Sequence, residues 1–242
     1  MVKFLPRKKL LKFKSKIIET KYITDNTKHL IISIPEEFDF YSGQFISLIF
    51  YINGEEIRRP YSIASNPKPY ELDLCIKILP NGRISPIIDS LKIGDEIEAM
   101  GPMGNFYIFE EYLNKNLILI STGTGVAPFR SIVNYLLENN FKNKLKLITG
   151  YRHKKDILYE EEFRNLEEKN KNFSYHRILS QDREENERGY VQKLINNNLD
   201  SNAHYYICGL KEMINSVKDF LIEKGISKDN ILFEKYDWNF MV

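Results

Sequence analysis

The sequence predicts two domains: an antiparallel β-barrel over residues 1–112 and an α/β domain with a parallel sheet over residues 113–242. Two observations carry this. Up to residue 115, short β-branched and aromatic segments follow one another with turn chemistry between them, a spacing that argues for an antiparallel sheet or barrel. After residue 115, strand and helix signatures alternate, which means a doubly wound parallel sheet.

In the first half the expected strands are Ser15–Tyr22, Leu30–Pro35, Gln44–Tyr51, Glu56–Ile63, Glu71–Ile78 and Glu96–Met100. Tyr41-Ser42-Gly43, Ile52-Asn53-Gly54 and Pro80-Asn81-Gly82 supply turn residues between them. One short helix, Ser85–Leu91, interrupts the series, with Ser85 expected as its N-cap and Pro86 at the first helical position. In the second half Asn116–Ser121 is a continuous apolar run, as a parallel strand covered on both faces would be. A helix at Pro128–Asn139, a strand at Lys144–Gly150, a charged helix at Leu158–Lys169 and a strand at Phe173–Leu179 follow. A short helix at Val191–Ile195, a strand at His204–Cys208, a helix at Lys211–Lys224 and a strand at Ile231–Lys235 complete the alternation. Ligands of such sheets bind at the carboxyl ends of the strands, where the strand order reverses.

Composition narrows the function classes. Among 242 residues, 43% are hydrophobic and 28% charged, ordinary for a globular protein, and a net charge of +2 gives no reason to expect nucleic acid. Lys3, Arg7, Lys8, Lys9, Lys12, Lys14 and Lys16 form a basic start with no acid among them, expected to be a solvated arm. No apolar run approaches the roughly 18 residues of an integral membrane segment, and no secretory apolar stretch opens the chain. Two cysteines are too few for a disulfide framework, an iron–sulfur cluster or a tetrathiolate zinc site, so a cytoplasmic location is expected. The four histidines, His29, His153, His176 and His204, have no metal-ligand spacing.

Two stretches stand out chemically. Ser121–Ser131 reads STGTGVAPFRS: Gly123 and Gly125 follow an apolar strand and precede a helix. Glycines let the backbone approach a ligand, and free N–H groups at a helix start favour an anion. The third glycine of the common dinucleotide fingerprint is replaced by Val126-Ala127-Pro128, and no Gly-Lys-Ser/Thr follows, so this is neither that fingerprint nor a Walker loop. The other stretch, Arg58–Ser65, sets two guanidiniums, a proline and a tyrosine among hydrophobic strands. Guanidinium suits bidentate contact with phosphate, and tyrosine offers a flat apolar face.

Seven stretches in order resemble the ferredoxin–NADP reductase superfamily, in its plant-type branch: Arg59–Ser62, Leu74–Lys77, Gly82–Ser85, Gly101–Phe106, Gly123–Ser131, Ile207–Met213 and Glu234–Tyr236. The resemblance runs from Lys14 to Tyr236. It implies an FAD-binding barrel, a nicotinamide-nucleotide domain and hydride transfer between them. It implies that Arg59 pairs with a flavin phosphate, that Tyr61 packs on the isoalloxazine and that Ser62 hydrogen-bonds near flavin N5. Gly82, Ile84 and Ser85 correspond to a second phosphate contact. The backbone at Leu74, Cys75 and Ile76 would line the pyrophosphate, with Lys77 near the nucleotide pyrophosphate.

On the nucleotide side the resemblance assigns Gly123, Thr124, Gly125 and Gly209 to cofactor binding, and Ser62, Cys208 and Glu234 to the catalytic shell. Cys208 would position nicotinamide rather than attack it, since no histidine is placed to activate it. Tyr236 matches a C-terminal aromatic that stacks on the flavin. The chain continues to Val242, so Trp238 is an alternative stacking group. Ser180, Arg188, Tyr190 and Gln192, with Arg152, fit an NADP site, whereas Asp182, Glu184, Glu185 and Glu187 would repel a 2′-phosphate. NADP(H) is therefore expected, with NAD(H) as the alternative. No carrier domain is fused, so a ferredoxin or flavodoxin is the expected acceptor. The alternatives are free flavin, a quinone, or a multicomponent complex.

Overall fold

The structure is a computed structural model that describes residues 5–182 and 188–236. These form two compact units, residues 5–109 with Ala127–Leu136, and Glu110–Val126 with Leu137–Tyr236.

The first unit is built on six strands: β1 (Leu11–Thr24), β2 (Thr27–Ser33), β3 (Phe45–Ile52), β4 (Glu55–Ser62), β5 (Glu71–Lys77) and β6 (Glu96–Met103). Their order is β4-β3-β6-β1-β2-β5, and neighbours run antiparallel. A bridge between Ile63 and Leu74, with Ala64 N donating to Asp73 O at 2.8 Å, joins the two terminal strands and makes the sheet barrel-like. Leu30, Ile32, Ile46, Leu48, Leu72 and Leu74 fill the interior. The Asn53-Gly54 signal becomes a two-residue hairpin loop in which both residues have positive φ, 52° and 81°, as a right-handed sheet twist requires.

Two expectations are corrected here. The basic start is not a solvated arm throughout: Leu11–Lys16 pairs with β6, and the rest of β1 pairs with β2. Leu11 and Phe13 alternate with Lys12 and Lys14, so one face packs on the core while the other carries charge. Lys12 bonds Glu98 at 3.0 Å. Helix α1 (Ser85–Ser90) is capped by Ile84, whose dihedrals are already helical and which has no side-chain cap bond. Ser85 is thus the first helical residue rather than the N-cap, and Pro86 is the second. The Lys28 ammonium closes the other end of α1 by donating to Asp89 O, where a cation complements free carbonyls.

The second unit contains β7 (Leu117–Thr122), β8 (Leu145–Tyr151), β9 (Phe173–Leu179), β10 (His204–Leu210) and β11 (Ile231–Tyr236). They are parallel, in the order β11-β10-β7-β8-β9. Helices α3 (Glu160–Lys169), α4 (Val191–Asn196) and α5 (Lys211–Glu223) belong to this unit. Helix α3 starts later than the sequence suggests because Tyr159 takes a left-handed conformation, φ 57°. Ile118, Ile120, Ile148 and Ile207 pack with Ile214 and Val217 of α5. Since β8 lies on one side of β7 and β10 on the other, the strand order reverses between β7 and β10, the place where such sheets hold ligands. Helix α2 (Ala127–Glu138) follows β7 through a tight turn at Gly123–Val126, and its residues Ala127–Leu136 group with the first unit.

Among the described residues no helix is long and apolar enough to cross a membrane. No group of three or more His, Cys, Asp or Glu among them is placed to hold a metal.

Candidate functional site

On the first unit the candidate residues gather at β4, β5 and the start of α1. β4 is a terminal strand paired only with β3, which is why Pro60 is tolerated opposite Ser47. Arg59 and Tyr61 lie two residues apart and so share a face of β4. One Arg59 Nη donates to Arg58 O at 3.0 Å, while its Nε is buried with no hydrogen-bond partner among the described residues. Tyr61 packs its ring against the barrel core, and burial raises its hydroxyl pKa despite the nearby Arg59 charge. Ser62 is buried. A guanidinium N–H left unsatisfied beside a flat aromatic ring suits a phosphate and a planar cofactor, so these residues fit FAD.

β5 is the other terminal strand. Leu74 pairs with Leu30 and bridges to Ile63; Cys75 and Ile76 are buried further along, and Lys77 ends the strand exposed. Gly82 N closes a turn onto Leu79 O at 2.8 Å, and Ile84 and Ser85 are buried where α1 begins. Several nearby cations already have anionic partners. Arg58 bonds Glu56 at 2.6 Å, Arg83 bonds Glu55 at 2.7 Å, and Lys8 bonds Asp39. The basic face imagined for the N-terminal lysines and Arg83 is therefore largely neutralised by its neighbours.

On the second unit the turn Gly123–Val126 stands at the strand-order reversal. A Cβ on Gly125 would lie 2.4 Å from Cys208 O and 2.8 Å from its carbonyl carbon, so only glycine lets this turn approach β10. At Gly123 nothing lies within 4 Å of the corresponding position, and Thr124 is half-buried, leaving that side of the turn open. Cys208 is fully buried, with Ser121 on β7 and Glu234 on β11 as its strand partners. Burial and the Glu234 charge push its thiol well above the ordinary value, outweighing a hydrogen bond with Tyr236. A neutral, enclosed thiol is no nucleophile at neutral pH. Gly209 follows, opposite Lys235. The sequence gave no separate role to Ser121, whose Oγ is buried with no hydrogen-bond partner among the described residues. Its only signal was its position before the first glycine of the turn.

Past β8 and β9 the structure brings four candidates together. Ser180 N donates to Tyr151 O at 2.9 Å, Gln181 N to Arg152 O at 2.9 Å, and Arg188 forms a bridge with Leu179. Arg152, Arg188 and Tyr190 are exposed, Tyr190 by 75%. Asp182 accepts from Lys154 N at 3.1 Å, which puts one of the suspected repelling carboxylates in this group. Gln192 is engaged elsewhere: its amide donates to Ser216 of α5 at 2.8 Å. Glu184, Glu185, Glu187 and Trp238 lie outside the described residues.

Residues 14–108 match the family described as oxidoreductase FAD-binding domain, and residues 119–219 match the oxidoreductase NAD-binding domain. NADH-cytochrome b5 reductase 1 of Scheffersomyces stipitis is 31% identical over 88% of this chain and 78% of its own length. The toluate 1,2-dioxygenase electron transfer component of Pseudomonas putida is 29% identical over 93% of this chain and 67% of its own length. The solved ferredoxin–NADP+ reductase of Plasmodium falciparum, with 2′P-AMP, superposes with a TM-score of 0.81 at 26% identity, covering 93% of this chain and 96% of that one. This chain spans only 40–67% of the length of five curated relatives, which are reductase components and reductases.

Proposed function

The chain belongs to the ferredoxin–NADP reductase superfamily of FAD- and NAD(P)-binding oxidoreductases, and from that premise we propose that it takes hydride from NADPH and passes electrons singly to a separate carrier, a ferredoxin or flavodoxin. When bound, FAD supplies the change from a two-electron donor to one-electron acceptors. The FAD-binding domain in this reading is 1–112 and the nucleotide domain 113–242. Arg59 holds a flavin phosphate, Tyr61 backs the ring, and Ser62 donates a hydrogen bond at its reactive edge. Leu74, Cys75, Ile76, Gly82, Ile84 and Ser85 line the flavin's phosphates.

For the nucleotide, the N–H groups of Gly123, Thr124 and Gly125 receive the pyrophosphate, with Lys77 and Gly209 beside it. Cys208 sets the position of the nicotinamide by its bulk, and Glu234 polarises the reacting edge. Tyr236, or Trp238, covers the flavin. Ser180, Arg152 and Arg188 receive the 2′-phosphate while Tyr190 stacks on adenine. The observation that supports this most is the buried, unpartnered Nε of Arg59 beside Tyr61. That atom is a donor lacking an acceptor, as an anionic cofactor would require.

A second reading has a specific support. The S. stipitis relative, 31% identical over 78% of its length, is by name an NADH-cytochrome b5 reductase, which favours NADH as donor and a haem carrier as acceptor. The two readings part in one assay. NADPH and NADH oxidation by the FAD-loaded protein is followed with ferredoxin, flavodoxin, cytochrome b5, free riboflavin and ferricyanide in turn. The first reading expects fastest turnover with NADPH and an iron–sulfur or flavin carrier. Preference for NADH and cytochrome b5 would replace it with the second, and turnover with riboflavin alone would overturn both.

A further inference from the structure

Asp73 is the one acid in the apolar run of β5 and is buried. Its carboxylate lies 2.7 Å from Arg130 Nη1, 3.3 Å from Lys68 Nζ and 3.7 Å from His29 Nε2. Burial pushes the Asp73 carboxyl upward, but the Arg130 hydrogen bond and charge, with Lys68 and His29, bring it below its ordinary value. The same Arg130 nitrogen donates to Ala64 O at 3.1 Å, two residues past Ser62. Ser65 Oγ accepts from Asp73 N at 3.0 Å, and Ala64 N donates to Asp73 O at 2.8 Å. Arg130 thus grips one compact junction, where the chain leaves β4 and meets β5.

Arg130 is the fourth residue of α2, and Val126, the end of the glycine turn, precedes that helix directly. A helix is stiff over one turn, so holding Arg130 holds the helix start and with it the exit of the turn. Phe129, fully buried and tilted against Phe106 at 5.7 Å, holds the adjacent position by packing. A buried ion pair adds little net stability over a well-packed apolar pair, which leaves orientation as what this one contributes. We propose that Arg130 is a positioning residue for nucleotide binding: clamped to Asp73 and Ala64 O, it holds α2 so that the backbone N–H groups of Gly123–Val126 keep the geometry a pyrophosphate needs. This rests on the reading of that turn as the nucleotide site.

The test uses the FAD-loaded full chain as wild type, as Arg130→Lys, and as the paired variant Arg130→Met/Asp73→Asn, which removes both charges together. Flavin content, thermal unfolding, calorimetric binding of NADP+ or NAD+ (whichever wild type binds more tightly), and KM against kcat are read for each. The paired variant is expected to melt near wild type and keep its flavin while nucleotide Kd and KM rise about tenfold and kcat changes less. Arg130→Lys, which keeps the charge and loses the fork, should recover part of that loss. Wild-type nucleotide Kd in the paired variant would overturn the proposal and leave a mere stabilising pair. If the paired variant does not fold, Arg130→Lys decides: about a threefold rise in Kd supports the clamp, and an unchanged Kd overturns it. Wild-type protein that binds flavin but no nucleotide would instead sink the functional reading, and this inference with it.

Discussion

The two units present their candidate residues in opposite ways. On the antiparallel unit the chemistry is carried by side chains standing on a terminal strand: Arg59 with a buried, unpartnered Nε, and Tyr61 on the same face. On the parallel unit it is carried by backbone, in a turn whose Gly125 has no room for a methyl group against Cys208 O, 2.4 Å from where its Cβ would be. A strand displays side chains at fixed intervals, so it suits a rigid cofactor held by specific groups. A turn at the reversal of a parallel sheet displays N–H groups, so it suits a phosphate. Side-chain sites should fail in graded fashion under mutation; backbone sites should fail outright.

Gly125→Ala should give the largest effect, because its new methyl meets backbone atoms rather than a flexible side chain. Nucleotide affinity should fall about a hundredfold or more and stability by about 1–3 kcal/mol, with flavin content preserved. Calorimetric titration and the flavin absorbance ratio would check both, and unchanged nucleotide affinity would break the contrast.

Arg59→Ala should come next, raising the FAD dissociation constant about 10- to 100-fold, the worth of a charge-assisted contact, while nucleotide binding changes little. Its neighbour Arg58, bonded to Glu56 at 2.6 Å, is the internal control: Arg58→Ala should leave flavin retention unaltered. Equal losses from both would mean that positive charge in general, not the unpartnered Nε, holds the cofactor.

The smallest effect concerns stability and touches both units alike. His29 in the first unit and His176 and His204 in the second all have pKa values held below 6.5, chiefly by burial. The unfolded chain then takes up protons that the folded chain refuses. Their contribution is intact above 6.5 and is lost as the pH falls below it toward the folded values, with a slope of at most about 1.4 kcal/mol per pH unit for each histidine. His204→Phe, which can keep the ring stacked on Tyr112 with its centroid 3.7 Å away, should make the decline of melting temperature between pH 7 and pH 5.5 shallower. An unchanged slope would contradict the assignment.

Much of the architecture was readable because local chemistry and tertiary structure agreed. The Asn53-Gly54 hairpin, the apolar run of β7 and the glycines after it each follow from a few adjacent residues. Where reading fell short, the deciding contact was distant or conformational. The lysines at Lys12 and Lys14 hid a period-two strand whose other face is Leu11 and Phe13. Ser85 looked like a cap, yet Ile84 already had helical dihedrals. Arg130 and Asp73 are 57 positions apart, so no local pattern joined them; the one signal was a lone acid inside the Leu72–Ile76 apolar run. Periodicity likewise could not show that Ala127–Leu136 groups with the barrel unit, because a helix's sequence does not name the surface its apolar side will meet.

The most direct test of the account is anaerobic mixing of the purified, FAD-reconstituted chain with NADPH or NADH while the flavin band is followed. One bound flavin per chain, bleached by one of the two nucleotides and restored by ferricyanide, is the predicted result. A chain that takes up no flavin, or one whose flavin neither nucleotide bleaches, would contradict it.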